Sequence, residues 1–493
     1  MASNRSASRI AFGTDGWRAV IAEEFTFDNV ARVARAFVDH LRAEERQNDP
    51  IYTEWGAEYR SAEQGVVIGY DTRFLSREFA HHFAAIVQDS GIPVHVSDSF
   101  VPTPALSYAV VDRNAAAGIM FTSSHNPARY NGIKIKAEYG GSAPKSITQS
   151  VEKRLKDEVP TVSPSASASV PLVDLATPYM NRIRELIDPE RLTASPVQVV
   201  VDSMYGSAQG YVGKILDELA IPFVQIRGTR DVLFGGKSPE PLEKNLAPLR
   251  GVIGSTAKRT NRRIIGVVTD GDGDRISAMD EKGGFVDAHR TYALILQYLV
   301  ETRRWRGPVV VSFNLSDLVR RMCEAYGLEI IEIPIGFKHA AKHIVQRDIL
   351  IAGEESGSIA IRGHIPERDG VLFSLLLVEI LANSHRSVSR LVADLHKTFG
   401  PQVYHRRDLH VEERLEIVDK LKKSPPAEFA GHTVCSVETL DGIKLRFDRG
   451  WLLFRASGTE PILRVYCEMT TEKDVRQVLD EAEKLARGDV TAW

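Results

Sequence analysis

The sequence predicts an α/β protein of several domains that closes with a smaller α+β domain, and three observations carry this. The chain has 493 residues, which at roughly 150 residues per domain implies three to four of them. Short β-rich runs followed by helical periodicity recur along most of the length, which is strand–helix alternation. Beyond residue 401 that alternation stops, and strand-like runs gather between helical segments.

Taken in order, GVVIGYD at 65 to 71 reads as a strand, and SREFAHHFAAIVQDSG after it as a helix. AAAGIMF at 115 to 121 is another buried strand, followed by a polar loop. DEVPTVSPSASASVP at 157 to 171 is rich in Ser, Ala and Pro and has no periodicity, so it reads as a linker that ends a first domain, 1–160. The helical YMNRIRELI, the strand PVQVVVDSMYG, the helical GKILDELAI and the strand RRIIGVVT leading into an acidic loop make a second, 172–284. A third, 285–400, carries GPVVVSF, the helical SDLVRRMCEAYG, the strand LEIIEIPI, the loop AGEESGS and a helix from 370 to 382. In the fourth, 401–493, IKLRFDRGWLLFRASGTEPILRVYCEM reads as two apolar strands around a loop, and DVRQVLDEAEKLAR as a closing helix. No short repeat recurs, which excludes solenoids and propellers.

Lys and Arg number 62 against 65 Asp and Glu, a net charge of −3. Such a balance offers no global basic surface for nucleic acid, so any anionic ligand must be held by local groups. Cys323, Cys435 and Cys467 are too far apart in sequence for a metal-ligand pair and odd in number, so neither a disulfide framework nor a Cys zinc site is expected. The leading MASNRSASRIAFG lacks the apolar stretch of a secretory signal. VLFSLLLVEIL at 371 to 381 is interrupted by Ser374 and Glu379 and is too short for a bilayer. The expectation is a cytoplasmic protein with no membrane or nucleic-acid partner.

Asp270, Asp272 and Asp274 alternate with Gly271 and Gly273 directly after the apolar IIGVV. Residues two apart in an extended backbone point the same way, so three carboxylates can converge on one hard divalent cation, Mg²⁺ first. A solvated acidic turn has the same composition. An EF-hand does not fit, because the sixth position from Asp270 is Arg275 rather than glycine. Arg275 is placed to meet a phosphate.

TSSHNP at 122 to 127 follows a buried strand, which puts Ser124 on an exposed turn at the strand's carboxyl end, where open α/β sheets bind ligands. Alone, Ser-His describes a capped polar turn equally well. Lys134, in NGIKIK, adds a cation that could hold phosphate or move a proton, or simply snorkel from a strand. RASGTEP at 455 to 461 gathers Arg455, Ser457, Gly458 and Thr459, with Arg464 beyond it. Guanidinium forks, hydroxyls and free N–H groups cradle phosphate, although an ordinary hairpin loop has the same outline.

FGTDGWR at 12 to 18, TSSHNP, TDGDGDR at 269 to 275, GEESGS at 353 to 358 and RASGTEP together stand in the order and spacing of the α-D-phosphohexomutase family, which the sequence resembles over nearly its whole length. The resemblance implies three related α/β/α domains and a C-terminal α+β domain around a central cleft. It implies that Ser124 carries a phosphoryl group, that Asp270, Asp272 and Asp274 hold Mg²⁺ with an oxygen of phosphorylated Ser124, and that Arg18 and Arg275 flank that serine. His125 and Lys134 match positions near the proton-transfer site. Glu354 and Ser356 match the loop that bonds sugar hydroxyls, Lys338 in IGFK matches a cleft contact, and Arg455, Ser457, Gly458, Thr459 and Arg464 match the site of the non-reacting phosphate.

The implied reaction interconverts glucose 1-phosphate and glucose 6-phosphate through glucose 1,6-bisphosphate, which also serves as activator, in a monomer or homodimer. Ser123 stands where alanine is usual, Ser358 where dual glucose/mannose enzymes carry histidine, and Arg368 where lysine is frequent. The paired glutamates of GEESGS favour glucose over mannose. A phosphomannomutase or dual-specificity mutase, a non-catalytic sugar-phosphate-binding protein and a Mg²⁺-dependent phosphatase remain as alternatives.

Overall fold

Each of the four units is built on one sheet. The computed structural model describes residues 10–13, 15–161, 170–457 and 461–488. In the first unit the strand order is Trp17–Val20, Tyr130–Lys136, Ala117–Phe121, Val66–Tyr70, Val94–Ser97 and Leu172–Val173, parallel from Ala117–Phe121 onward and antiparallel before it. The second orders Phe285–Val286, Ile276–Met279, Arg263–Thr269, Val197–Asp202 and Phe223–Ile226, again parallel at its centre. The third orders Ile330–Ile333, Val309–Ser312, Ile351–Gly353 and Ile359–Ile361, with only the last antiparallel. Their central strands are buried along their length, as expected where helices cover both faces.

This repeated plan places the functional loops. In every unit a strand leaves the sheet, forms a loop and returns antiparallel beside itself: Ala117–Phe121 to Tyr130–Lys136 encloses TSSHNP, and Arg263–Thr269 to Ile276–Met279 encloses the acidic loop. Ile351–Gly353 to Ile359–Ile361 encloses GEESGS, and Gly450–Ala456 to Ile462–Met469 encloses RASGTEP.

Three features differ from the sequence reading. The fourth unit has a five-stranded antiparallel sheet, not two strands: Phe447 pairs with Gly450 and breaks the apparent run IKLRFDRGWLLFR at Asp448–Arg449, and Val403–His410 and Ser436–Glu438 add the two edge strands. Leu172–Val173 and Phe285–Val286, which the reading assigns to the second and third domains, are hydrogen-bonded into the first and second sheets. Two-residue edge strands carry no periodicity to read. Of the linker stretch, residues 162–169 lie outside the described residues.

One apolar core runs through the second and third units and reaches the first at Val67 and Met120, passing Tyr179 and Val199 to Val309 and Phe399, while the first unit also has its own core from Ile10 to Val151. The helix Gly370–Ser384 lies inside it, buried from Gly370 through Ala382. Among the described residues no single helix is long and apolar enough to cross a membrane. The fourth unit has its own core, from Leu409 to Ala486.

Candidate active site

The serine loop is held in a strained shape from beneath. Ser124 has φ of +50°, a left-handed conformation that costs a serine roughly 1–3 kcal/mol unless its surroundings enforce it. Arg73, fully buried, enforces it. Its Nε donates to Asp71 Oδ2 at 3.1 Å, while Nη1 and Nη2 donate to the carbonyls of Pro127, Tyr130, Ser124 and Asn126 at 2.7–3.1 Å, which uses all five of its N–H groups. The Ser124 N–H donates to Thr122 Oγ1 at 2.9 Å.

Contrary to the exposed turn read from sequence, Ser124 is only 1% exposed, because the acidic loop of the second unit lies on top of it. Gly271 permits that approach: a Cβ there would lie 2.4 Å from the Ser124 carbonyl oxygen. As a result Ser124 Oγ donates to Asp270 Oδ2 at 2.8 Å and lies 3.3 Å from His125 Nδ1. The neighbouring Ser123 hydroxyl is buried with no hydrogen-bond partner among the described residues.

The three Asp carboxylates converge, each with an oxygen within 4.8 Å of the others. Asp270 Oδ1 accepts the backbone N–H groups of Asp274 and Arg275, which curls the loop. Burial and then the adjacent Asp272 and Asp274 push the Asp270 carboxyl well above the usual carboxylate range. On the far edge, Lys134 Nζ donates to Asp272 Oδ2 and Asp274 Oδ2, both at 2.8 Å, and Thr103 Oγ1 donates to Asp272 Oδ2. Burial alone would lower the Lys134 ammonium, but Asp15, Asp272 and Asp274 outweigh it and hold it above the ordinary lysine range. Asp272 Oδ1 and Asp274 Oδ1 remain buried without a hydrogen-bond partner among the described residues. Three converging carboxylates with two unpartnered oxygens and a raised carboxyl between them fit a hard, oxygen-seeking divalent cation.

Positive groups ring this cluster. Arg18 Nη1 donates to Asn126 Oδ1 at 3.0 Å, and Arg275 Nε lies 4.0 Å from Asp270. Burial, followed by the charges of Arg275 and Arg18, keeps His125 well below the ordinary histidine range and therefore neutral. Arg368 completes the ring, and Asp15 ties it together; sequence reasoning gives neither a role. Arg368 Nη2 lies 2.7 Å from both Asp15 Oδ2 and Asp274 Oδ2, and Asp15 Oδ2 also meets Lys134 Nζ at 2.9 Å. In the sequence Asp15 is one residue of FGTDGWR, Arg368 stands out only as a departure from lysine, and Arg73, two residues past GVVIGYD, carries no signal.

The third unit's loop faces the same cluster. Glu354 Oε1 accepts the Gly336 N–H at 2.6 Å, and burial raises its carboxyl despite Arg368 and Arg275 nearby. The Ser356 and Ser358 hydroxyls are 2.9 Å apart. Lys338 begins the helix Lys338–Gln346 and shares a crevice with Asp15 and Lys145, while Arg368 stacks on the ring of its neighbour Phe337. In the fourth unit, Arg455 and Arg464 are register partners on adjacent strands, and Ser457 N–H closes the loop onto the Ile462 carbonyl. Gly458 and Thr459 lie outside the described residues.

The chain resembles known proteins along nearly its whole length. Profiles of phosphoglucomutase/phosphomannomutase alpha/beta/alpha domains I, II and III match residues 9–161, 177–284 and 287–399, and the profile of the C-terminal domain matches 411–485. The chain is 30% identical over 476 residues to a phosphoglucomutase/phosphomannomutase of Thermococcus kodakarensis, covering 96% of this chain and 98% of that one. It is 27% identical to a phosphoglucosamine mutase of Carboxydothermus hydrogenoformans, covering 95% and 97%. A Thermus thermophilus crystal structure named as a phosphomannomutase superposes with a TM-score of 0.83 at 32% identity, covering 98% of this chain and all of that one. Fold and site thus define a sugar-phosphate mutase, an enzyme of the isomerase class. The chain belongs to the α-D-phosphohexomutase family.

Proposed function

We propose that the enzyme interconverts glucose 1-phosphate and glucose 6-phosphate through a phosphorylated Ser124. The observation that supports this reading best is that two loops carry clustered cationic side chains, which we read as two phosphate sites of different character. At the first, a nucleophilic hydroxyl lies 2.8 Å from a carboxylate cluster and is ringed by Arg18, Arg275, Lys134 and Arg368. At the second, Arg455 and Arg464 are register partners on adjacent strands, which puts two guanidinium groups on one face of the sheet, Arg455 donating to Asp441.

Asp270, Asp272, Asp274 and Ser124 would hold Mg²⁺, which when bound offsets charge on the transferring phosphoryl group. The remaining work falls to side chains. Arg18 and Arg275 hold the phosphoryl oxygens at Ser124, and Arg455, Ser457, Gly458, Thr459 and Arg464 hold the other phosphate. Glu354 and Ser356 accept and donate to sugar hydroxyls, and Lys338 adds charge at the cleft wall. The substrate hydroxyl attacks phosphorus as the bond from phosphorus to Ser124 Oγ breaks, and its proton passes to a group beside the serine: neutral His125 is free to accept it, while Lys134, held as an ammonium on Asp272 and Asp274, offsets charge instead. The 1,6-bisphosphate then turns over and returns its other phosphoryl group to Ser124. Burial of Ser124 keeps water from the phosphoserine, as a transferase requires.

The sugar is chosen by the paired glutamates of the third loop and by Ser358, whose small hydroxyl is engaged with Ser356. Because relatives include a phosphoglucosamine mutase, the test runs glucose, mannose and glucosamine 1-phosphates in parallel, each with a trace of the cognate bisphosphate and Mg²⁺. Wild type turns glucose 1-phosphate over fastest with little free phosphate. Ser124→Ala loses the phosphopeptide seen by mass spectrometry and its turnover collapses by several orders of magnitude. A Ser124→Ala enzyme with wild-type turnover sinks the reading.

A further inference from the structure

The sugar loop and the phosphate loop belong to different units, yet one carboxylate joins them. Asp441 Oδ2, in a turn of the fourth unit, accepts the Ile335 N–H of the third unit at 2.9 Å and the Arg455 Nε–H at 3.0 Å. The residue after Ile335 is Gly336, whose N–H donates to Glu354 at 2.6 Å. A short path of hydrogen bonds and one peptide unit therefore runs from Glu354 through Gly336, Ile335 and Asp441 to Arg455. The turn is built to sit there. Gly442 has φ of +99°, and a Cβ on it would lie 2.3 Å from the Phe454 carbonyl oxygen and 3.2 Å from Arg455 Cα. Only glycine lets Asp441 press so closely on the strand that carries Arg455.

We infer that Asp441 is a positioning residue that fixes the distance between the sugar-reading and the phosphate-reading loops. The inference rests on the reading of Arg455 as a phosphate contact. A mutase presents either end of its substrate to the serine, so the spacing between the group that reads the sugar and the one that reads the far phosphate must stay constant in both orientations. A loose side chain could not provide that. Asp441 pins Arg455 through Nε and pins the third unit through backbone, so the two loops move as one body, and its charge adds to the strength of both bonds.

The experiment is a double-mutant cycle on KM and kcat with glucose 1-phosphate, comparing Asp441→Ala, Arg455→Ala and the double variant. Loss of a charge-assisted bond is expected to raise KM about 10-fold or more in each single variant, with kcat changed far less. The double variant is expected to be no worse than Arg455→Ala, because Asp441 acts through that arginine. Asp441→Asn, which keeps an oxygen for Ile335 but not the charge, falls between wild type and Asp441→Ala, a rescue that a merely structural role would not give. Thermal melts confirm that each variant is folded, and if Asp441→Ala is not, Asp441→Asn carries the same cycle. An unchanged KM in Asp441→Ala beside a raised one in Arg455→Ala, or multiplicative effects in the double variant, overturns the inference alone. An unchanged KM in Arg455→Ala overturns the phosphate-loop reading, and the inference falls with it.

Discussion

The two junctions of this molecule are made of different materials. The second and third units share one apolar core around the buried helix Gly370–Ser384, and the first unit joins it through residues such as Val67, Leu106 and Met120 while keeping a core of its own. The fourth is seated on the third by a small aromatic cluster of Phe313, Trp451, Leu453 and Tyr466, surrounded by charge. Arg446 meets Asp317 at 2.6 Å, Lys444 meets Glu332 at 3.4 Å, and the Tyr404 hydroxyl donates to Glu355 at 2.9 Å. A large apolar interface fixes two bodies, whereas a small polar one permits their relative motion. The serine and the acidic triad thus sit on the apolar junction, whereas Arg455 keeps its spacing to the third unit through single polar groups, Asp441 on Ile335 among them.

Core truncation puts this contrast to the strongest test. Leu376→Ala, at a fully buried position in the shared core, is expected to cost about 2–5 kcal/mol and to lower the melting of the second and third units together. Trp451→Ala, equally buried at the fourth-unit seat, should cost about 3–5 kcal/mol yet act on the fourth unit only. Hydrogen exchange mapped along the chain reads both. If Leu376→Ala deprotects the second unit no more than the fourth, the shared-core account is wrong.

A smaller effect sharpens the same line. Mg²⁺, if held between Ser124 and the triad as proposed, would stabilise only the state that keeps them together, by about 2.7 kcal/mol at a hundredfold excess over Kd. Protection should therefore rise in the serine and acidic loops and stay level in the fourth unit, and a chelator should reverse it. Asp274→Asn should abolish the shift. A uniform rise over all four units contradicts the division.

Much of this was legible in the sequence because the chemistry sits in short contiguous loops. TDGDGDR predicts converging carboxylates from alternation alone, and the structure brings them together. The parts that were not legible depend on contacts far along the chain. Nothing near Arg73 announces that it will hold the serine loop some 50 residues on, nor does LDGIK show that its Asp will meet Ile335. Ser124 was read as exposed because a turn at a strand end is usually solvated, and the covering loop comes from another unit. The fourth sheet was under-counted because Asp448–Arg449 lacks the usual glycine-containing hairpin turn.

The smallest expected effect concerns pH and separates the two junctions without any core substitution. At the fourth-unit seat, burial and then Asp317 push the Glu468 carboxyl up from 4.5 to about 8, and its Oε1 accepts the Asp317 N–H. Burial, partly offset by Glu332, Asp317 and Glu438 and reinforced by Arg446, lowers Lys444 from 10.5 to about 8, between the rings of Phe313 and Trp451. Glu468 keeps a proton in the fold that the unfolded chain releases, so its stabilising contribution is full below pH 4.5 and is lost as pH rises to about 8. Lys444 has the opposite sign: its contribution is full above pH 10.5 and is lost as pH falls to about 8. The seat should therefore be weakest near pH 8, by on the order of 1 kcal/mol relative to one unit on either side. The strand Val197–Asp202, in the shared core of the second and third units, lies away from this pair. Hydrogen exchange of Ile443–Phe447 and Gly450–Ala456, corrected for intrinsic rates between pH 6.5 and 9.5, should pass through a minimum of protection that Val197–Asp202 lacks. Glu468→Gln should flatten the falling limb and Lys444→Met the rising one, and a wild-type profile retained in both variants would show that neither group sets the strength of the seat.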